Sequence, residues 1–174
     1  MSRLVSRDVV GLVALVVSVV AVLPLFPDVP WRHLAEPSYQ AALALMVTAA
    51  VILGQRARGR RGSAFERWWL ALFLAGMPLV YLADWAVAGS AHTVGWLGVE
   101  LAGFVIFASL AVLGVRRSPW FLVAGIVGHG LGWDLWHHGV GFVPDWYATG
   151  CLVADLGLGV YAATQVRAWE VGRG

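Results

Sequence analysis

Ionisable residues are concentrated between residues 125 and 159, within or beside two strongly apolar segments near the carboxyl end of the chain. An ionisable side chain at the centre of a membrane helix costs about 2.5–3.5 kcal/mol or more, so such a group indicates a functional site by default. Carboxylates and imidazoles are also common metal ligands and acid–base groups. The residues that we single out in and beside the two segments are Asp134, Asp155, His129, His137, His138, Tyr147 and Cys151.

Helical periodicity places part of this group on one face of the fifth predicted helix. At about 100° per residue, Asp134 shares a face with His137 and His138, which follow it by three and four positions. His129 falls on a neighbouring strip, together with Trp133. An α-helical wheel therefore predicts that His129 and Asp134 point in different directions.

The last predicted helix carries a second polar face. Tyr147, Cys151 and Asp155 follow one another at intervals of four residues, and Asp155 lies about 12 Å from the outer end of its helix. The short connection before this helix makes it an antiparallel neighbour of the fifth. We therefore expect Asp134, Asp155, His137 and His138 to converge in the outer half of the bilayer.

Three uses fit such a convergence. In the first, His138, Asp134, Asp155 and His137 bind a metal ion, and Zn, Fe or Mn suits these ligands. In the second, Asp134, Asp155 and His137 carry out acid–base chemistry without a metal, as in an isomerase, a hydrolase or a proton-coupled transporter. In the third, the polar groups bond one another and fix the packing of the helices.

Further residues are assigned to a ligand pocket around these groups. Glu100 and Asp84 form either a second half of the site or a pair that links the third and fourth helices. Cys151 is interpreted as a small packing residue, because no cationic neighbour is evident that would activate its thiol. The predicted pocket residues are Glu100, Asp84, His129, Tyr147 and Trp133.

The composition identifies an integral membrane protein. Hydrophobic residues make up 60% of the chain and charged residues only 13%, which no ordinary soluble domain matches. All twelve basic residues are arginines, so lysine Schiff-base chemistry with retinal or pyridoxal phosphate is excluded. One cysteine cannot form an internal disulfide. A net charge of +2 that arises from arginines near helix ends predicts the lipid bilayer as a partner, and no nucleic acid.

Six apolar stretches predict an all-α transmembrane bundle that forms one domain over 1–174. The first stretch resembles a signal peptide without a cleavage site, and we interpret it as a retained helix. With both termini in the cytoplasm, every arginine except Arg32 lies on the inner side, which satisfies the positive-inside rule. The arginine-only basic composition is typical of a bacterial genome of high GC content, so we predict a bacterial inner-membrane protein. The predicted helices span about 8–26, 39–55, 68–89, 97–115, 119–139 and 147–166.

One pattern carries a resemblance to known proteins. Trp-Asp-x-x-His-His at 133–138, Trp-Tyr at 146–147 and Cys-x-x-x-Asp at 151–155 resemble a pattern of small bacterial multi-pass membrane proteins. The resemblance covers the last third of the chain and implies a shared polar site, without an activity. Membrane zinc hydrolases of the ceramidase and progestin-receptor type offer only the general concept of a metal hydrolase within a membrane. Their His-x-x-x-His pair is absent from this sequence.

The sequence therefore supports a ranked set of functions. The first is a membrane protein that binds a metal ion or a small lipid-like ligand at an Asp/His pocket, with enzymatic action on a lipid-like substrate as its extension. The alternative is a proton-coupled transporter of a small molecule or ion, and the third is a structural membrane subunit. Glycine and alanine on the outward faces permit a homo-oligomer without requiring one.

Overall fold

The computed structural model describes residues 2–22, 37–88, 94–139 and 143–171, and these parts of the chain are entirely helical apart from short turns. Six helices are present in them, which confirms the predicted all-α architecture. The fifth helix, α5, covers 120–137 and contains a π-helical segment. The other five are α1 (Ser2–Val22), α2 (Pro37–Ala57), α3 (Ala64–Ala88), α4 (Val94–Arg116) and α6 (Asp145–Val171).

Three helices in the described residues are long and apolar enough to cross a membrane. They are the segments Tyr39–Ala57, Ala64–Val87 and Gly95–Arg116, and each approaches or exceeds the roughly 20 residues needed to span the hydrocarbon. A shorter apolar stretch, Asp8–Val20, lies in α1. The chain thus has the character of a membrane protein, while six spans and two cytoplasmic termini stay predictions.

Large apolar side chains cover the outside of the bundle as well as its core. Leu74, Leu122 and Leu158 are fully buried, whereas Leu72 and Val105 are mostly exposed. A soluble monomer rarely exposes contiguous apolar surface on this scale. An outer surface of this kind is suited to contact with lipid chains.

The helices pack in a chain of neighbouring pairs. α1 lies along α6, α3 lies along α4, and α5 contacts both α4 and α6, while α2 packs mainly against α3. Small residues allow α1 and α6 to approach closely, because a Cβ atom at Gly157 would collide with Ser18, and one at Gly11 would collide with Thr164. α2 is therefore the helix with the least support from the rest of the bundle.

α5 changes its helical geometry part-way along. It begins as the α-helix Trp120–Gly128, continues as the π-helical segment His129–Asp134 and ends as the α-helical turn Leu135–His137. The wider turn is visible where the Leu135 N–H bonds the Gly130 carbonyl, five residues earlier. Such π-segments are rare and frequently occur at functional sites.

Candidate metal centre

Three buried side chains of α5 and α6 form the centre of the site, and we call them the Asp/His cluster: His129, Asp134 and Asp155. His129 Nδ1 lies 2.8 Å from Asp155 Oδ2 and 3.3 Å from Asp134 Oδ1. One ligand atom from each residue lies within 4.8 Å of the other two. The cluster therefore offers one nitrogen and two carboxylate oxygens to a shared centre.

The π-helical segment is the reason that His129 and Asp134 meet. In an α-helix, residues five apart point about 140° away from each other. A π-helix bonds each residue to the fifth one along, so residues five apart lie above one another. His129 and Asp134 are the first and last residues of this segment, five positions apart. The α-helical wheel was therefore wrong to point them in different directions.

Asp155 reaches the cluster from α6 at a point of close helix contact. Gly130 lies opposite it, and a Cβ atom there would be 2.8 Å from the Cβ atom of Asp155. No real Cβ atom tolerates that distance, so a glycine is needed for α5 to approach α6 here. The same π-helical segment thus brings His129 and Asp134 together and, through Gly130, leaves room for Asp155 beside them.

Aromatic side chains hold the cluster from α3 and α4. The Tyr81 hydroxyl donates a hydrogen bond of 2.5 Å to Asp134 Oδ1. Phe107 packs its ring edge-on to His129, with the ring centres 4.8 Å apart. Outer contacts of this kind orient metal ligands and are a regular part of metal sites.

Two polar atoms of the cluster have no hydrogen-bond partner among the described residues. They are His129 Nε2 and Asp134 Oδ2, and both are buried. Leaving a buried polar atom unpaired costs about 1–3 kcal/mol, so native proteins rarely do it without a reason. A bound ion or ligand would satisfy atoms in these positions.

His137 belongs to a separate buried pair. Its Nδ1 lies 2.8 Å from the Trp133 carbonyl oxygen, and its Nε2 lies 2.8 Å from Glu100 Oε1. A carbonyl oxygen only accepts, so Nδ1 carries a proton and donates it to Trp133. The contact with Glu100 joins α5 to α4 in the interior of the bundle.

The predicted site residues are thus divided among several places. Asp134 and Asp155 come together as expected, but the histidine that contacts them is His129 and not His137 or His138. His137 pairs with Glu100, and His138 lies exposed at the end of α5. The cluster consists of His129, Asp134 and Asp155, so neither His137 nor His138 belongs to it.

A cavity of about 450 Å³ adjoins the cluster between α2, α3 and α6. His129 and Asp155 line it together with Tyr147 and Cys151, whereas Glu100, Asp84 and Trp133 are not part of its described wall. Asp84 is half-buried on α3, and Trp133 packs against Phe107. Of the predicted pocket residues, two therefore face one cavity and three lie elsewhere. The two at the cavity are His129 and Tyr147.

A second buried acid lies at the start of α3, in what we call the Glu66 cluster: Gly62, Ser63, Glu66 and Tyr161. Glu66 Oε2 accepts a 2.9 Å hydrogen bond from the Gly62 N–H, and Oε1 accepts one from the Tyr161 hydroxyl. Ser63 Oγ accepts a hydrogen bond of 3.2 Å from the Glu66 N–H, and this bond caps the amino-terminal end of α3. Glu66 was not among the predicted site residues, although the Ser-x-x-Glu spacing of a capping box was a signal for it.

Comparisons with protein-family models, with curated proteins and with solved structures find nothing that matches this chain.

Proposed function

We propose that this chain is a membrane protein that binds one divalent transition-metal ion at His129, Asp134 and Asp155. The observation that carries the proposal is the spacing of three buried ligand atoms. Two ligands on metal bonds of about 2.0–2.2 Å lie roughly 3 Å apart at the angles of tetrahedral or octahedral sites. The separations of 2.8 Å and 3.3 Å at His129 Nδ1 are of that size.

Charge supports the same conclusion. Two buried carboxylates beside one imidazole repel each other unless a cation or a proton lies between them. A divalent ion neutralises both carboxylates and is the largest local charge in any site that holds one. One nitrogen and two oxygens suit Zn, Fe or Mn, in agreement with the metals expected from the sequence.

Three protein ligands leave at least one coordination position for another molecule. Structural zinc sites are closed by four protein ligands, whereas catalytic sites have three and hold water or substrate at the fourth position. The cavity adjoins two of the three ligands, since His129 and Asp155 belong to its wall. This favours ligand binding, and enzymatic action on a lipid-like substrate, over a purely structural metal.

The metal content of the detergent-purified protein tests the proposal. We expect close to one Zn, Fe or Mn per chain in the wild type, and its loss in His129→Ala and in Asp155→Asn. His138→Ala is the matched control and should bind as much metal as the wild type, because His138 is exposed. A wild type without metal under chelator-free handling would overturn the proposal, as would equal loss in His138→Ala.

One observation favours a second function, the proton-coupled transporter. His137 Nε2 lies 2.8 Å from Glu100 Oε1 in the interior, and the His137 ring packs at a tilt against Tyr81, with the ring centres 4.1 Å apart. Buried acid and histidine groups are typical of proton relays in transporters. A transporter should lose proton-linked uptake into liposomes in Glu100→Gln while its metal content stays unchanged. A metal-binding protein without transport activity shows no such uptake in the wild type.

We further propose the bacterial inner membrane, with six spans and both termini in the cytoplasm, as the location. The distribution of arginines on the loops supports this orientation. Alkaline phosphatase fused to the carboxyl terminus should be inactive and a fluorescent protein fused there should fold. Active phosphatase in that fusion would contradict the orientation.

A further inference from the structure

The cavity beside the Asp/His cluster is lined almost entirely by apolar side chains, and His129 and Asp155 belong to its wall. Its wall combines side chains of α2 and α3, including Leu45, Phe73 and Met77. Two contacts connect α2 to the other helices around the cavity: the Trp69 indole N–H donates to Thr48 Oγ1 at 3.2 Å, and the Tyr39 and Trp146 rings lie 5.4 Å apart. These contacts join α2 to α3 and to α6, and the cavity lies among the three helices.

The cavity opens toward the outer surface of the bundle. Val47 and Leu72 belong to its wall, and both are more than half exposed. They lie on α2 and α3, two of the helices that are apolar enough to span a membrane. In a membrane this opening faces lipid chains, so a ligand enters sideways from the bilayer.

His129, in the wall of the cavity, carries a buried hydrogen-bonding atom that no described residue uses. His129 lines the cavity, is almost fully buried, and its Nε2 has no partner among the described residues. A metal ion bound at Nδ1 takes the lone pair of that nitrogen, which leaves the proton of the neutral ring on Nε2. Nε2 then donates, and the ligand atom that it selects is an acceptor oxygen.

We propose that this cavity binds a single-chain lipid, with its chain between α2, α3 and α6 and a carbonyl oxygen at His129 Nε2. The proposal rests on the metal site only for the donor state of Nε2. The shape and lining of the cavity hold without it. A neutral carbonyl group fits better than a free carboxylate, because the rest of the cavity wall is almost entirely apolar and an unpaired charge is costly to bury there.

Photolabelling of the purified protein with a diazirine analogue of methyl palmitate tests the proposal. The labelled peptides should come from the parts of α2, α3 and α6 that line the cavity, and excess methyl palmitate should suppress them. Gly76→Leu fills the cavity, since Gly76 lines it and a Cβ atom there meets nothing within 4 Å. Gly98→Leu is the matched control, because Gly98 is equally unobstructed but lies on the exposed face of α4.

We expect Gly76→Leu to lower the competable labelling about tenfold, and Gly98→Leu to leave it unchanged. A diazirine-labelled hexadecane lacks the carbonyl group and therefore loses one hydrogen bond. We expect it to bind the wild type about fivefold more weakly than the ester does. Labelling that is uniform over the outer surface, or equal in the two glycine variants, would overturn the lipid site.

Metal analysis of the same samples separates this inference from the proposed metal site. Gly76→Leu with full metal content and undiminished labelling overturns the lipid site and leaves the metal site standing. A wild type that lacks metal but shows labelling sensitive to Gly76→Leu supports the lipid site and overturns the metal.

Discussion

The Glu66 cluster and the Asp/His cluster each bury an acid against a tyrosine hydroxyl, but they satisfy that acid to different degrees. Both oxygens of Glu66 accept hydrogen bonds, one from Tyr161 and one from the Gly62 N–H. Asp134 accepts from Tyr81 through Oδ1, while its Oδ2 has no partner among the described residues. The first acid closes a helix cap, and the second retains an unused ligand atom.

The surroundings of the two acids differ in charge as well. Arg56 lies over the Tyr161 ring at 5.5 Å, and both Arg56 and Arg61 pair with Asp8 at the same end of the bundle. The Asp/His cluster instead holds two carboxylates beside one imidazole. Glu66 is therefore fully paired within the fold, whereas Asp134 and Asp155 repel each other unless a cation or a proton lies between them.

The largest expected effect concerns the Glu66 cluster. Glu66→Ala leaves the Tyr161 hydroxyl and the Gly62 N–H without their acceptor, and each unpaired group costs about 1–3 kcal/mol. We expect the free energy of unfolding to fall by roughly 3 kcal/mol, measured by denaturation in sodium dodecyl sulfate with tryptophan fluorescence. Metal content per folded chain should not change.

Glu66→Gln is the control for that substitution, since its amide oxygen still accepts one hydrogen bond and the loss should be smaller. If Glu66→Ala lowered the free energy of unfolding by less than about 1 kcal/mol, the hydrogen bonds of Glu66 would not stabilise the fold as this comparison of the two clusters requires.

The next effect is the response of the wild type to metal. An ion that binds only the folded state at 100 times its dissociation constant adds about 2.7 kcal/mol to the free energy of unfolding. We expect this gain when the preferred ion is added to chelator-treated wild type, and no gain in Asp134→Asn. A gain of equal size in both proteins would place the ion elsewhere.

A smaller effect distinguishes binding from structural packing. In the metal-free protein, Asp155→Asn removes one of two neighbouring carboxylates, while its amide oxygen still accepts from His129. We expect the free energy of unfolding to rise by about 1 kcal/mol, in the same denaturation assay. A clear loss of stability would favour the structural-subunit hypothesis for this cluster.

The smallest effect tests the π-helical segment. Deletion of Leu131, which is exposed, leaves His129 and Asp134 four residues apart, and an ordinary α-helix places such residues on one face. We expect the deletion variant to bind metal like the wild type and its stability to change by less than about 1 kcal/mol. Insertion of an alanine after Leu131 is the comparison and should abolish metal binding. Loss of metal in both variants would mean that the π-turn itself is required.

The sequence allowed the helices and the two acids of the site to be predicted, because both depend on local patterns. Apolar runs bounded by arginines define the helices, and Asp134 and Asp155 are costly in such segments. His129 was misplaced because a wheel assumes one periodicity throughout. The available signal was His-Gly-Leu-Gly, where glycines at 130 and 132 weaken the α-helix.

The contact between His137 and Glu100 could not be predicted from the sequence for a different reason. Its partner Glu100 lies on α4, 37 positions away, and only the packing of α4 against α5 brings the two side chains together. The cavity depends in the same way on three helices that are far apart in the chain. Such long-range contacts have no local pattern.

X-ray absorption spectroscopy of the metal-loaded protein tests the proposed metal site most directly. We predict a first shell of nitrogen and oxygen atoms at about 2.0–2.2 Å, with the outer-shell signal of one imidazole that disappears in His129→Ala. Sulfur at about 2.3 Å would place the ion at Cys151 instead. An unchanged imidazole signal in His129→Ala would likewise contradict a metal centre at His129, Asp134 and Asp155.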